Sequence, residues 1–165
     1  MVGLVFLGHF GSFDLLARAW QAAGICAEPI MRSPIRSQSL GEFWGKRWNL
    51  SFRQFTHDFL FRPALPKLGV AGATMLVFLA SGLIHDLVIS VPARSGYGLP
   101  TAYFLLQGLG ALAERSRAGR MLGLHSGGRG WLWTVLVTAS PAYWLFHPWF
   151  VMRVMLPFLG AIHAL

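Results

Sequence analysis

An apolar run of 24 residues, Leu68 to Val91, contains no lysine or arginine yet carries a histidine–aspartate pair, His85-Asp86, near its end. Wound as a helix it is about 36 Å long, enough to cross a hydrocarbon core with some tilt. Ionisable groups at that depth are costly unless they face protein or a wet cavity, so both are functional candidates. The rest of the chain agrees with a bilayer setting. Of its 165 residues 55% are hydrophobic and 12% charged, and the mean hydropathy is positive, which excludes an ordinary soluble domain. A single integral membrane domain over residues 1–165 is expected.

Four apolar segments stand out: 2–24, 68–91, about 98–114 and 131–152. They predict an all-α, polytopic fold with about four spanning segments. His9, Asp14 and Arg18 weaken the first segment, whose start lacks a basic flank and a small-residue cleavage site and reads as a retained helix. The third is short enough to be tilted or partly buried. The fourth holds Pro141 and His147-Pro148, and the second proline is expected to break it. Alternating spans place loops 25–67 and 115–130 on one side, with eleven lysines and arginines against Arg94 and Arg153 on the other. That asymmetry predicts a multi-pass protein whose two basic loops are cytoplasmic. The net charge of +8 is spread between apolar blocks and forms no separate basic module, so no nucleic-acid partner is expected.

Within the first basic loop, Ser39-Leu-Gly-Glu42 has the spacing of a helix capping box. Leu40, Trp44, Trp48, Phe52, Phe55 and Phe59 then recur every three or four residues, with Glu42, Lys46, Asn49, Arg53 and His57 opposite. This pattern predicts one amphipathic helix lying in the membrane interface. Pro63 and Pro66 are expected to turn the chain into the spanning helix, and Gly127-Gly-Arg-Gly130 to form a loop. Cys26 is the only cysteine, so neither an intrachain disulfide nor a cysteine-based metal site is expected. His9, His57, His125 and His163 show no ligand spacing, and no metal is expected.

Two segments together resemble a known family. Ser39-Leu-Gly-Glu-Phe-Trp-Gly-Lys-Arg-Trp-Asn49 is similar to its S-L-x-x-F-W-x-R-R-W-N segment, and Phe78-Leu-Ala-Ser-Gly-Leu-Ile-His85 to its S-G-x-x-H helix. The family is the membrane-bound O-acyltransferases, in particular the wax-synthase-like branch, which the ending Phe146-His-Pro-Trp-Phe-Val-Met-Arg-Val-Met-Leu-Pro157 also resembles. The resemblance implies transfer of an acyl group from acyl-CoA to a hydroxyl acceptor, most directly a long-chain alcohol. It implies acyl-CoA as co-substrate, no cofactor, and membrane lipid as surroundings. It further implies His85 as the catalytic residue and Asn49 as its paired position. Family members carry more spanning helices before this region. The expectation is therefore a C-terminal half, with a missing N-terminal half or a complementary membrane subunit as partner.

The residues can be weighed on their own chemistry. A neutral imidazole at His85 suits a general base that takes the proton of an attacking hydroxyl. The plain alternative is a helix-packing histidine. Ser81, one turn earlier, is on the same face and is the candidate partner. Asp86 is turned about 100° away, so a Ser81-His85-Asp86 triad is not expected and Asp86 should pair with another helix or meet water near the far interface. Asn49 is either a hydrogen-bonding group for the acyl donor or a polar residue on the wet side of a helix. Lys46, Arg47 and Arg53 suit the phosphates of coenzyme A or, equally, anionic lipid. With Trp44, Trp48 and Ser81 they complete the candidate substrate-binding set. Two other readings stay open: O-acetylation of a polysaccharide or small metabolite, and a non-catalytic or truncated membrane subunit.

Overall fold

The computed structural model describes residues 19–24 and 30–161. Most of the first apolar segment, with the expectation of a retained helix, lies outside them.

Helix α1 covers residues 40–47, an α-helical turn Leu40–Glu42 running into a π-helical turn Phe43–Arg47. The Ser39 hydroxyl accepts the Glu42 N–H at 2.9 Å, as the capping box predicts. Glu42 reaches one residue further back than that motif requires and accepts from the Gln38 N–H at 2.7 Å. The helix stops where Trp48 turns extended and Asn49 enters the left-handed region at φ 41°, a conformation asparagine tolerates better than most residues. The Asn49 Oδ1 then accepts the Phe52 N–H at 3.2 Å and caps the next helix. The expected single amphipathic helix is thus two helices with a corner between them. Its aromatic stripe divides accordingly, with Trp44 packed against the core while Phe55 and Phe59 stay exposed.

Helix α2, Leu50–Ala93, is the only helix among the described residues long and apolar enough to cross a membrane. It is broken at Gly69 (φ 63°, ψ −179°), not at the prolines. Pro63 sits just after the π-helical turn His57–Phe61, at the start of the α-helical stretch Arg62–His85, and Pro66 is carried inside it. The change of direction falls on the residue whose dihedrals are open essentially to glycine. The limb after the break, residues 70–93, carries His85 and closes with a π-helical turn, Asp86–Ser90.

Helix α3, Leu99–Arg115, packs along that limb. Its buried positions Pro100, Tyr103, Phe104, Gln107, Gly108, Ala111 and Glu114 follow the helical period. Glycines let the two backbones approach: a Cβ on Gly82 would stand 2.7 Å from the Thr101 Cα, and one on Gly108 2.8 Å from the Met75 sulfur. Small residues at a helix crossing are the usual device for close packing in lipid. The remainder is short: α4 Arg117–Met121, α5 Gly127–Ala139, α6 Ala142–Leu145 and α7 Pro148–Ala161.

Two expectations are corrected here. Residues 131–152 form no continuous span, because Pro141 and His147-Pro148 both interrupt the helix. The third segment, at 17 residues, is about 25 Å long. The described residues are all-helical, and one of their helices, α2, is long and apolar enough to cross a membrane. Gly127-Gly-Arg-Gly130 is the first turn of α5 and not a loop; Gly130 has no room for a side chain because the Gln38 carbonyl lies against it.

The two basic loops meet at one end of the molecule. Gly127 N–H donates to Gln38 Oε1 at 3.1 Å and Trp131 Nε1 to the Ile35 carbonyl at 2.8 Å. At the other end Arg153 donates to the Ala93 carbonyl at 3.0 Å.

Candidate active site

His85 ends the long α-helical stretch of α2, half-buried, its Nδ1 2.7 Å from the Ser81 carbonyl oxygen. A carbonyl only accepts, so Nδ1 carries a proton, and in the neutral form of the ring the basic lone pair is on Nε2. That is the tautomer a general base with one fixed nitrogen requires. Ser81 is the partner through its backbone; its buried hydroxyl donates instead to the Val77 carbonyl at 2.8 Å. The face of the imidazole meets Phe104 of α3, ring centroids 4.3 Å apart.

Phe104 connects His85 to the tryptophan-rich segment. Trp44 lies 5.7 Å from Phe104 and 5.8 Å from Phe78, centroid to centroid, and 6.1 Å from Trp48. Phe78, Tyr103 and Phe104 form the buried core, onto which Trp44, Trp144 and Leu145 pack. Trp44 Nε1 is 3.4 Å from Oε1 of Gln107, a fully buried side chain whose Nε2 donates to the Val137 carbonyl at 2.8 Å. The two motifs, far apart in sequence, are thus brought together by aromatic rings borne on α3.

The remaining predicted residues differ in what holds them. Asn49 is a helix cap whose Oδ1 is taken by Phe52, leaving its NH2 as what it can offer a ligand. Arg47 is not an outward-facing cation. Its guanidinium pairs with Glu42 at 2.7 Å and donates to the Arg32 carbonyl at 3.0 Å, while its own carbonyl accepts the Arg32 N–H. The Gln38 N–H and then Arg47 hold the Glu42 carboxyl below its usual range, against partial burial. Lys46 and Arg53 are exposed, the latter reaching Gln54 at 3.3 Å.

Glu114, Gln107 and Phe104 belong to the site and were missed in the sequence. Glu114 is only 2% exposed and accepts the Leu40 and Gly41 N–H groups at 2.7 and 2.8 Å, fastening the start of α1 to the end of α3. A signal existed: the chain holds six acidic residues in all, and this one closes an apolar helix. Asp86 meets another helix, as expected, accepting from Ser90, Gly98 and Thr101. His147 is fully buried at the break it makes, its Nδ1 accepting the Phe150 N–H at 3.2 Å. Among the described residues no group of three or more His, Cys, Asp or Glu could hold a metal ion.

Residues 27–106 match the Membrane bound O-acyl transferase family. A probable long-chain-alcohol O-fatty-acyltransferase of Arabidopsis thaliana is 35% identical over 159 residues, 88% of this chain and 43% of that protein. The long-chain-alcohol O-fatty-acyltransferase of Simmondsia chinensis is 30% identical over 110 residues, 61% of this chain and 30% of the relative. An acyl-CoA–sterol O-acyltransferase of Arabidopsis thaliana is 32% identical over 74 residues, 41% and 21% of the two chains. The chain spans less than half the length of these relatives. No solved structure matches it significantly.

Proposed function

Because this chain belongs to the membrane-bound O-acyltransferase family, we propose that it transfers an acyl group from acyl-CoA to the hydroxyl of a long-chain alcohol, making a wax ester. The observation that carries the reading is the imidazole of His85, tautomer fixed by the Ser81 carbonyl, set against the aromatic shell that joins the two family motifs. In the reaction Nε2 takes the alcohol's proton as its oxygen attacks the thioester carbonyl. The new C–O bond forms, the C–S bond breaks, and the imidazolium returns its proton to the departing thiolate. No covalent acyl-enzyme is needed. The Asn49 NH2 is the donor proposed for the acyl carbonyl. Lys46 and Arg53 are the cations proposed for the phosphates of coenzyme A, with Arg47 reassigned to holding α1 together. Trp44, Trp48 and the turn at Ser81 form the walls.

The proposed setting is a multi-pass membrane protein with loops 25–67 and 115–130 cytoplasmic. Contacts between residues 35–41 and 114–131 support a common side for the two loops, and their excess of arginine and lysine supports the cytoplasmic one. The exposed stripe Leu79, Leu83, Leu87, Val88 and Val91 on the His85 limb supports contact with lipid or with further helices. The same stripe favours a second reading, in which the chain lends the His85 helix to a complementary membrane half that covers this face.

The test is release of coenzyme A from a long-chain acyl-CoA and a long-chain alcohol by membranes carrying the chain, beside His85→Ala. Loss of ester formation in the variant is expected, and equal turnover would overturn the role of His85. A panel of acetyl-CoA and sterol or sugar acceptors separates wax-ester synthesis from the other acceptor classes.

A further inference from the structure

The carboxylate next to His85 lies at the centre of a hydrogen-bond cluster that the reaction above does not use. Asp86 opens the π-helical turn that follows His85, and this turn sets Ser90 beneath it, the Ser90 hydroxyl donating to Oδ1 at 2.8 Å. Oδ1 also accepts the Gly98 N–H at 2.9 Å; Oδ2 accepts the Thr101 N–H at 3.2 Å and the Thr101 hydroxyl. These donors belong to the start of α3. A helix begins with N–H groups that lack intrahelical partners, and a side-chain acceptor at its first turn satisfies them. Here Gly98, at the cap position, has no side chain to supply, Leu99 N–H is taken by the Gly96 carbonyl, and Pro100 has no N–H. The missing cap comes from α2, through the residue adjacent to His85. The Ser90 carbonyl accepts the Ser95 N–H at 3.2 Å, so the turn 94–98 is held at the same point.

What this clasp fixes is the height of α3 on the His85 limb. Thr101 sits against Gly82, its Cα 2.7 Å from where a Cβ on Gly82 would stand. Phe104, one turn along, is the ring in contact with the imidazole. The other ionisable groups at this end are His147, buried against Gly96, and Arg94 and Arg153; Arg153 is bound to the Ala93 carbonyl. We propose that Asp86 is a positioning residue for His85. It acts across α3, through Thr101 and then Phe104, and not by pairing with the imidazole. The short α-helical separation of residues 101 and 104 makes the first-turn anchor and the ring one rigid piece. Small displacements of a catalytic group cost large factors in rate, so the anchor governs turnover without touching substrate.

This inference rests on the proposed base role of His85 only for its kinetic arm. The experiment compares the full chain in membranes with Asp86→Ala, Thr101→Val, the double variant and Thr101→Ser. Carbethoxylation of His85 by diethylpyrocarbonate is followed by mass spectrometry, with exposed His125 as internal reference. Asp86→Ala and Thr101→Val are each expected to speed modification of His85 and not of His125. The double variant should be no faster than Asp86→Ala alone, and Thr101→Ser should match the parent. In turnover, Asp86→Ala is expected to lower kcat roughly tenfold or more, with KM and the midpoint of the pH–rate profile unmoved. Unchanged modification of His85 in both single variants, or additive effects in the double, overturns the proposal. So does a displaced pH midpoint, which marks direct pairing of charge. A parent without turnover counts against the acyltransferase reading alone, since the modification arm still decides the role of Asp86.

Discussion

At the scale of single residues, most of the chemistry lies in groups that hold others still. Glu114 is the clearest case: its carboxylate is buried and takes two amide hydrogens at the start of α1. Glu114→Gln keeps the shape but offers one acceptor where two are needed, turning an NH2 towards an N–H. A loss of about 1–3 kcal/mol is expected, read as a lower midpoint in thermal unfolding in detergent, and accompanied by a change in Trp44 and Trp48 emission. Unaltered stability would show that α1 is anchored elsewhere. His85 was legible in the sequence because a histidine in an apolar run is expensive and therefore conspicuous. Phe104 was not, since a phenylalanine in an apolar helix looks like any other core residue until the neighbouring helix is placed. The partners of Arg47 were hidden for a related reason: its pairing with Glu42 and with the Arg32 carbonyl depends on how the chain folds back.

At the scale of elements, periodicity identified the helices, and the breaks were the harder part. The stripe from Leu40 to Phe59 keeps helical spacing through Trp48-Asn49, so pattern alone runs across the corner that the backbone makes there. Pro63 and Pro66 drew the expected bend towards themselves, whereas the chain yields at Gly69, three residues later. In the fourth segment the proline signal at His147-Pro148 marks a break, and Pro141 makes a second one six residues earlier. The packing of α3 on α2 gives a direct test of element-level geometry. Gly82→Val forces a side chain into the Thr101 backbone, 2.7 Å from where its Cβ would stand. Overpacking of this kind costs about 1–3 kcal/mol, and Gly45→Ala, at a glycine with open space around it, is the matched control. Comparable thermal stabilities for the two would exclude close helix contact at Gly82.

At the scale of the molecule, the sequence's charge asymmetry and the contacts agree on two ends of opposite character. In a Cys26→Ser background, Ser116→Cys is expected to react with a membrane-impermeant maleimide only after the membrane is opened from the cytoplasmic side, and Ser95→Cys from the other. Labelling of both from one side would refute the proposed topology. The continuity of the fourth segment was less legible than its apolar character, because length and hydropathy miss the effect of prolines. The stripe on the His85 limb gives the rest of the reason: part of this helix faces outward, and what it faces is not encoded in its own period.

The clasps at the two ends of α3 bear on the charge of the whole protein. Asp86 and Glu114, two of six acidic residues, are turned inward as fasteners for helix starts, and Glu42 is tied to Arg47. Among the described residues Asp58 is the exposed carboxylate, while Lys46, Arg53, Arg117, Arg120 and Arg129 are exposed cations. The basic end therefore presents its cations outward, while Asp86, Glu114 and Glu42 are engaged in bonds within the fold. An anionic membrane surface, or any polyanion approaching that end, meets these cations first.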